Sequence, residues 1–279
     1  MRTSHTIVRG LLFAAAVVLT SAGSLRAQYG QPQQQNPPTP PPAKQPGTLP
    51  PAAPVVNKEE EDGYKKFFET KASADQIPLG EDFLKKFPES RYRESVYSKL
   101  TADYLANGLE DKMFAAGEKT LELNPDNVDV LAVMAMTIPR RVDTRALDAE
   151  QKLTKAETYG KKAIGLITNL QKPATITEED FVKAKNEKLS MAHSGLGFVY
   201  FHRGKYMESA AEFGEATKLA SAPDPADFYV MGYAYEQAKK FDDAVTAYGK
   251  CGDIAGPLQA RCKSSLANAK KAATSQPKP

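Results

Sequence analysis

Histidine, cysteine and tryptophan are scarce in this chain, and their scarcity limits the chemistry that it can support. The 279 residues include no tryptophan, two cysteines and three histidines. His5 falls in a segment that we expect to be removed, which leaves His193 and His202. These two are nine positions apart, whereas a metal-binding pair on one helical face is three or four apart. No nucleophile elbow, phosphate-binding loop or dinucleotide fingerprint is present either. We therefore expect no enzyme, no catalytic residue, no metal and no cofactor.

A hydrophobic run long enough to cross a membrane is also missing. The chain begins with Arg2 and Arg9, continues with an apolar stretch at 11–19, and then has small residues up to Ala27. This order is typical of a secretory signal peptide, with cleavage after Ala27 or after Gly23. An uncleaved N-terminal anchor is the alternative, although the apolar stretch is short for a span. We predict residues 1–27 as a signal peptide, no integral span after cleavage, and export to the bacterial periplasm.

An excess of one charge, which nucleic-acid binding requires, disappears with that segment. Residues 1–27 contain three arginines and no acidic residue. The formal charge of +3 for the whole chain therefore becomes zero without them. A neutral chain of mixed charges gives no electrostatic footprint for a phosphate backbone, so we expect no nucleic-acid partner.

Composition divides the remaining chain into three parts. Residues 28–56 are rich in proline and glutamine, with PPTPPP at 37–42. Proline removes backbone donors and fixes φ, so this stretch favours an extended, disordered linker. It could serve as a spacer, as a ligand for a proline-reading groove, or as a leader without function. Residues 57–272 carry apolar residues at helical spacing, with Gly and Pro between the periodic stretches. Residues 273–279 form a polar tail that we expect to be disordered.

Two adjacent copies of one pattern stand out within the helical region. The first copy spans 190–224 and the second 225–258, and Gly232 follows Gly197 by 35 residues. The residues that define the pattern are Leu196, Gly197, Tyr200, Phe213 and Ala216, then Phe228, Gly232, Tyr235, Ala244 and Tyr248. This spacing resembles the tetratricopeptide repeat (TPR), a helix–turn–helix unit of about 34 residues. The glycines let the two helices of a pair approach, and the aromatic side chains fill the space between them.

Earlier copies match the pattern less closely. Tyr97, Leu100 and Tyr104 fit the first helix of a repeat, but Gly117 stands where the second helix usually has an aromatic residue. A repeat that begins near Val128 is predicted to be interrupted by PRRVDTR at 139–145. A long helix is predicted to start at Thr177, which forms a capping pair with Asp180. The resemblance implies an all-α, right-handed superhelical solenoid of about five helix pairs, closed by a helix over 257–272.

The resemblance also implies a concave groove lined by the first helix of each pair. The groove positions are Met191, Ser194, Phe198 and Phe201 in one repeat, and Ala226, Tyr229, Tyr233 and Glu236 in the next. Neighbouring His202 is a candidate for ligand contact or pH sensing, while His193 is more consistent with packing. The predicted partner-binding groove therefore comprises Met191, Phe198, Phe201, His202, Tyr229, Tyr233 and Glu236. Its four aromatic side chains either face water and bind an apolar partner, or are covered by an adjacent helix or the closing segment.

Cys251 and Cys262 are the only cysteines, and they fall on either side of the turn into the closing helix. In an exported protein they could form a disulfide, whereas two small buried thiols are the alternative.

The predicted function is a non-catalytic scaffold of the cell envelope that binds protein or peptide partners in the TPR groove. The alternative is a structural or assembly factor that is tethered to the envelope through the N-terminal segment and the proline-rich arm. The resemblance leaves self-association open.

Overall fold

The computed structural model describes residues 57–275, and all regular elements in this range are helices. The helices are α1 (Lys58–Glu69), α2 (Ser73–Lys86), α3 (Arg93–Ala106), α4 (Glu110–Leu123), α5 (Val128–Arg141), α6 (Ala149–Thr168), α7 (Glu178–His202), α8 (Tyr206–Leu219), α9 (Pro225–Gln237), α10 (Phe241–Asp253) and α11 (Gln259–Ser275). They form five successive pairs and a closing helix, so the predicted all-α solenoid is confirmed. The predicted signal peptide, the proline-rich linker and the last four residues of the tail lie outside the described residues.

Short polar side chains start two of the helices that carry the clearest repeats. The hydroxyl of Thr177 accepts a hydrogen bond from the amide of Asp180 at 3.1 Å, which confirms the predicted start of α7. The carboxylate of Asp224 accepts one from the amide of Ala226 at 2.9 Å, and Pro225 occupies the first helical position. These caps satisfy amides that the first turn of a helix leaves without an intrahelical partner.

In the last two pairs, the turn between the two helices contains a residue with positive φ. After α7 that residue is Gly204, with a φ of 71°, and after α9 it is Lys239, with a φ of 58°. In both turns the amide of the next residue donates to a carbonyl five positions back, at 2.9 and 2.8 Å. Glycine adopts this conformation at little cost, whereas the Cβ of Lys239 makes it unfavourable.

The predicted interruption at 139–145 is wrong in its first part, because α5 continues through Pro139 to Arg141. Pro139 has no amide hydrogen, so the carbonyl of Ala135 lacks its usual donor one turn later. Gly195 of α7 lies directly against that carbonyl, and a Cβ added to Gly195 would overlap Ala135. The proline and the glycine together allow the backbones of α5 and α7 to approach each other closely.

In the last two pairs, a glycine on the first helix receives a ring from the second helix of the same pair. A Cβ at Gly197 would lie 2.9 Å from the ring of Phe213, and one at Gly232 would lie 2.8 Å from the ring of Tyr248. Both rings are fully buried. This is the packing that the repeat pattern predicts. Tyr200 and Tyr235 are only half-buried.

The first pair shows both kinds of contact, because Gly63 of α1 meets the ring of Phe83 in its own pair and Gly80 of α2 meets Phe67 of its own pair as well as Leu100 of the next. In the second and third pairs the glycine lies on the second helix, and a residue of the next pair fills the space. The glycines are Gly117 and Gly160, and the residues that meet them are Met134 and Leu196, respectively. A Cβ at Gly117 would lie 2.7 Å from the sulfur of Met134, for example. Each of these pairs is therefore completed by the pair that follows it.

The closing helix covers the end of the stack. Cys251 of α10 and Cys262 of α11 are joined as a disulfide, with Cα atoms 5.7 Å apart, and neither residue is exposed. Leu258 and Ala269 are also buried at this end. The helix continues to Ser275, three residues beyond the predicted end of the helical region.

Candidate functional site

From the second pair onward, the first helices of the pairs form a continuous layer. α3 contacts α5, α5 contacts α7, and α7 contacts α9, while α4, α6 and α8 each pack between two first helices. A layer whose members contact one another is the inner side of a curved stack of helix pairs. The inner face, as used below, is the surface that α5, α7 and α9 form.

Three aromatic side chains cluster where α7 and α9 of this face meet α8. Phe201 of α7 lies 5.6 Å from Tyr233 of α9 and 5.9 Å from Tyr206 of α8, measured between ring centroids. Both contacts are edge-to-face, the geometry that aromatic pairs prefer. All three rings are half-buried, so part of each remains accessible to water. Phe201, Tyr206 and Tyr233 together are termed the aromatic patch.

Of the two alternatives for the four groove aromatics, exposure to water is wrong for Phe198 and Tyr229. Phe198 is 5% exposed and Tyr229 is 6% exposed. The guanidinium of Arg140 lies over Phe198, 4.6 Å from the ring centroid, and that of Arg261 lies over Tyr229 at 5.3 Å. Arg261 belongs to the closing helix, so Tyr229 is covered in the way that the alternative interpretation anticipated.

His202 is held by the helix next to its own. Its Nε2 lies 2.8 Å from the carbonyl oxygen of Pro139, near the end of α5, where helix carbonyls lack intrahelical donors. Burial lowers the pKa of His202, against the effect of this hydrogen bond. The neutral ring with a proton on Nε2 is the form that suits such a site. His202 therefore supports the α5–α7 contact and is a poor pH sensor near neutrality.

The other predicted groove residues are also engaged within the chain. Glu236 accepts a hydrogen bond from the hydroxyl of Tyr248 at 2.8 Å, and burial raises the pKa of its carboxyl group. Met191 is half-buried and packs against the core. His193, which we expected to pack, has its Nδ1 2.7 Å from a carboxylate oxygen of Glu212.

A polar cluster between α5, α7 and α9 was not predicted. Arg140 donates to Asp224 at 2.8 Å and to both Asp227 and Ser194 at 2.9 Å. Ser194 in turn donates to Asp227 at 2.8 Å. The side chain of Asp227 is 5% exposed and that of Arg140 is 23% exposed. These four residues, over which Phe198 forms an apolar wall, are termed the Arg140 cluster.

Burial dominates the electrostatics of this cluster. It raises the pKa of Asp227, while the charge of Arg140 and the hydrogen bond from Ser194 oppose the rise and Asp224 adds to it. The pKa of Arg140 is raised by its two carboxylates despite the opposing effect of burial. Arg140 is therefore charged, and Asp227 accepts a proton more readily than an exposed aspartate does.

Sequence reasoning missed the Arg140 cluster because its members are far apart in the chain. Arg140 is 84 residues from Asp224 and 87 from Asp227. No local spacing pattern links positions at such distances. The available signals were the charged residues after an apolar helix and the Asp-Pro start of α9, and neither identifies its partner.

Two further properties concern the described residues 57–275. No group of three or more His, Cys, Asp or Glu in this range could hold a metal ion. Within the same range, no helix combines the length and the apolar character that a membrane crossing requires.

No protein-family model matches the chain, and no curated protein matches it. Among solved structures, the chain is similar to PilW, a widely conserved type IV pilus biogenesis factor, with 13% identity and a TM-score of 0.53. That match covers 78% of this chain and 89% of PilW. A thermophilic TPR protein from Thermus thermophilus is 17% identical over 76% of this chain and 99% of its own, with a TM-score of 0.47. A tetratricopeptide repeat protein from Parabacteroides merdae is 12% identical over 77% and 100%, with a TM-score of 0.35. At these identities the likeness concerns the fold alone, and that fold is of the TPR type.

Proposed function

We propose that this chain, which has a TPR-type fold, is a non-catalytic scaffold that binds a partner polypeptide on its inner face. The observation that carries the proposal is the aromatic patch, in which three half-exposed rings from α7, α8 and α9 meet. Aromatic side chains are enriched at protein–protein interfaces, and tyrosine is among the residues that contribute most to binding energy there.

The chemistry of the patch indicates the kind of partner. Some TPR proteins hold a terminal carboxylate with Lys and Asn at groove positions, but here those positions are Ser194, Phe198, Tyr229 and Tyr233. Phe198 and Tyr229 are buried, and Arg140, which lies over Phe198, is paired with two carboxylates. The partner segment is therefore apolar or aromatic where it meets the patch, and its charges contribute little to affinity.

The proposal includes export to the cell envelope. Its support is the basic start, short apolar stretch and small-residue exit of residues 1–27. The alternative, an envelope-tethered assembly factor, depends on residues outside the described range. Determining the N-terminal residue of the exported protein distinguishes the two, because an intact Met1 supports the tether and a start near Gln28 supports the soluble scaffold.

Site-specific photocrosslinking in cells tests the binding site directly. A benzophenone amino acid would replace Phe201 in the full chain, and a matched chain would carry it at Met207 of α8, which is 47% exposed and outside the patch. We expect one discrete crosslinked partner from position 201 and none from position 207. A crosslink between two copies of this chain would identify the partner as the chain itself.

Loss of the patch provides the second arm of this experiment. A chain with Tyr206→Ala and Tyr233→Ala, and with the photocrosslinker at position 201, should lose the crosslink while its helical circular dichroism is retained. A crosslink of undiminished yield, or equal yields from positions 201 and 207, would rule out the patch as the binding site.

A further inference from the structure

Contacts in a solenoid are normally restricted to neighbouring repeats. The Arg140 cluster is an exception, because it joins the third pair to the fifth. Arg140 extends from the end of α5 and reaches the start of α9, passing Ser194 of α7 on the way. The direct contact between α7 and α9 is much smaller than that between α5 and α7. The cluster is therefore the main polar connection across this part of the inner face.

The geometry of the cluster is specific. The guanidinium donates to one carboxylate through one terminal nitrogen and to Asp227 and Ser194 through the other. Asp224 uses its second carboxylate oxygen to cap α9, so the position of the arginine and the start of the helix are coupled. A planar fork with fixed donors imposes one relative position on the groups that it binds.

The cluster contributes more to specificity than to stability. Charges that are removed from water lose hydration, and their mutual attraction offsets that loss only partly. Arg140 also has a buried donor, Nε, for which the described residues provide no acceptor. In some proteins buried ion pairs fix which arrangement of helices forms, while apolar contacts supply most of the stability.

We propose that Arg140, Ser194, Asp224 and Asp227 form a latch that holds the third, fourth and fifth helix pairs as one cooperative unit. The latch sets the curvature of the inner face between α5 and α9. Without it, the fifth pair would open independently of the third. It acts within the fold, whether or not the aromatic patch has a partner.

Coupling between α9 and α5 is the property that a latch has and an ordinary surface ion pair lacks. Hydrogen exchange of the α5 amides would be measured in four full-length chains. These are the unmodified chain, Gly232→Ala, Arg140→Met with Asp227→Asn, and all three changes together. Gly232→Ala loosens the fifth pair, because the new Cβ would meet the ring of Tyr248. In the latched chain we expect it to accelerate α5 exchange by about tenfold, since the pairs open together.

In the chain without the latch, the same Gly232→Ala change should leave α5 exchange unaltered. Equal acceleration in both backgrounds, or none in the latched chain, would overturn the proposal. The Arg203→Met variant is the matched control. Arg203 also binds two carboxylates, those of Glu150 and Glu157, but it connects only adjacent pairs, so coupling between α9 and α5 should survive its loss.

A conservative variant keeps the test decisive if the Met/Asn chain does not fold. Arg140→Lys retains the charge but cannot donate to both carboxylates and the serine in a fixed plane. This chain should fold. Adding Gly232→Ala to it should accelerate α5 exchange less than the same change does in the unmodified chain. If Gly232→Ala accelerated α5 exchange as strongly in the Arg140→Lys chain as in the unmodified chain, charge alone, and not the planar fork, would connect the pairs.

Discussion

The second and third helix pairs and the last two use glycine in opposite ways. In the last two pairs, Gly197 and Gly232 receive a ring from their own second helix. In the second and third, the glycine is on the second helix, and a side chain from the next pair fills the space. Packing within a pair makes each unit nearly complete in itself. Packing between pairs makes each unit depend on its successor, as in a chain of coupled repeats.

The end of the stack shows why the two modes occur where they do. The fifth pair has no following pair, so no side chain of a next repeat is available to fill a space on its second helix. Tyr248 fills the space within the pair, and the closing helix covers the rest through the Cys251–Cys262 link. The junction between the two modes lies at α7, whose Gly195 meets α5 and whose Gly197 meets α8.

The largest effect is expected at that junction. Gly195→Ala would place a Cβ against the Ala135 carbonyl, and backbone atoms cannot move aside as a side chain can. We expect a loss of about 3 kcal/mol or more in the free energy of unfolding. Chemical denaturation measures the loss, and hydrogen exchange should locate it in α5 and α7.

Gly165→Ala in α6 is the control for this variant. No atom lies within 4 Å of a Cβ at Gly165, so the change should stabilise its helix by about 0.5–1 kcal/mol. Similar denaturation midpoints for the two variants would show that α5 and α7 are not in backbone contact.

The contrast between the modes also explains what the sequence could predict. The glycine and its ring in the last two pairs recur at repeat spacing, so they are visible as a pattern. In the earlier pairs Gly117 meets Met134, an apolar residue of the next repeat, and no side-chain chemistry marks the two as partners. These pairs were therefore predicted only in outline.

The site was predicted less completely for a related reason. Repeat positions indicate which residues point toward the inner face, and Phe201 and Tyr233 are partly exposed there. They do not indicate what lies over those residues. Arg140 and Arg261 cover Phe198 and Tyr229 from helices that are distant in sequence. Tertiary contacts of this kind have no signature in local spacing.

The second prediction concerns how the last pair is closed. Replacing Cys251 and Cys262 by alanine should lower the free energy of unfolding by about 2.5 kcal/mol, since the bridge closes a loop of 11 residues. Hydrogen exchange should accelerate in α10 and α11 and remain unchanged in α1–α4. Reductant should destabilise the unmodified chain to the same extent and leave the alanine variant unaffected. A chain that is insensitive to reductant would contain two thiols instead.

The third prediction compares the two modes directly. Gly232→Ala should cost about 2 kcal/mol, because the rigid ring of Tyr248 is fully buried and cannot move away. Gly117→Ala meets the flexible thioether of Met134, and the better helix propensity of alanine offsets the contact, so the change should stay within about 0.5 kcal/mol. Equilibrium denaturation of both variants gives the difference. Equal losses would mean that the packing partner does not distinguish the two regions.

The smallest effect is expected at the turn of the last pair, and it has the opposite sign. Lys239 has a φ of 58°, whereas the preceding pair uses Gly204 for the same turn. Lys239→Gly should therefore stabilise the chain by about 1 kcal/mol, since the strain of the left-handed conformation exceeds the entropy that glycine loses. Gly204→Ala should destabilise by a similar amount, although no atom lies within 4 Å of its added Cβ. If both variants were as stable as the unmodified chain, backbone strain would not differ between these two turns. The similarity of the last two repeats would then rest on their ring packing alone.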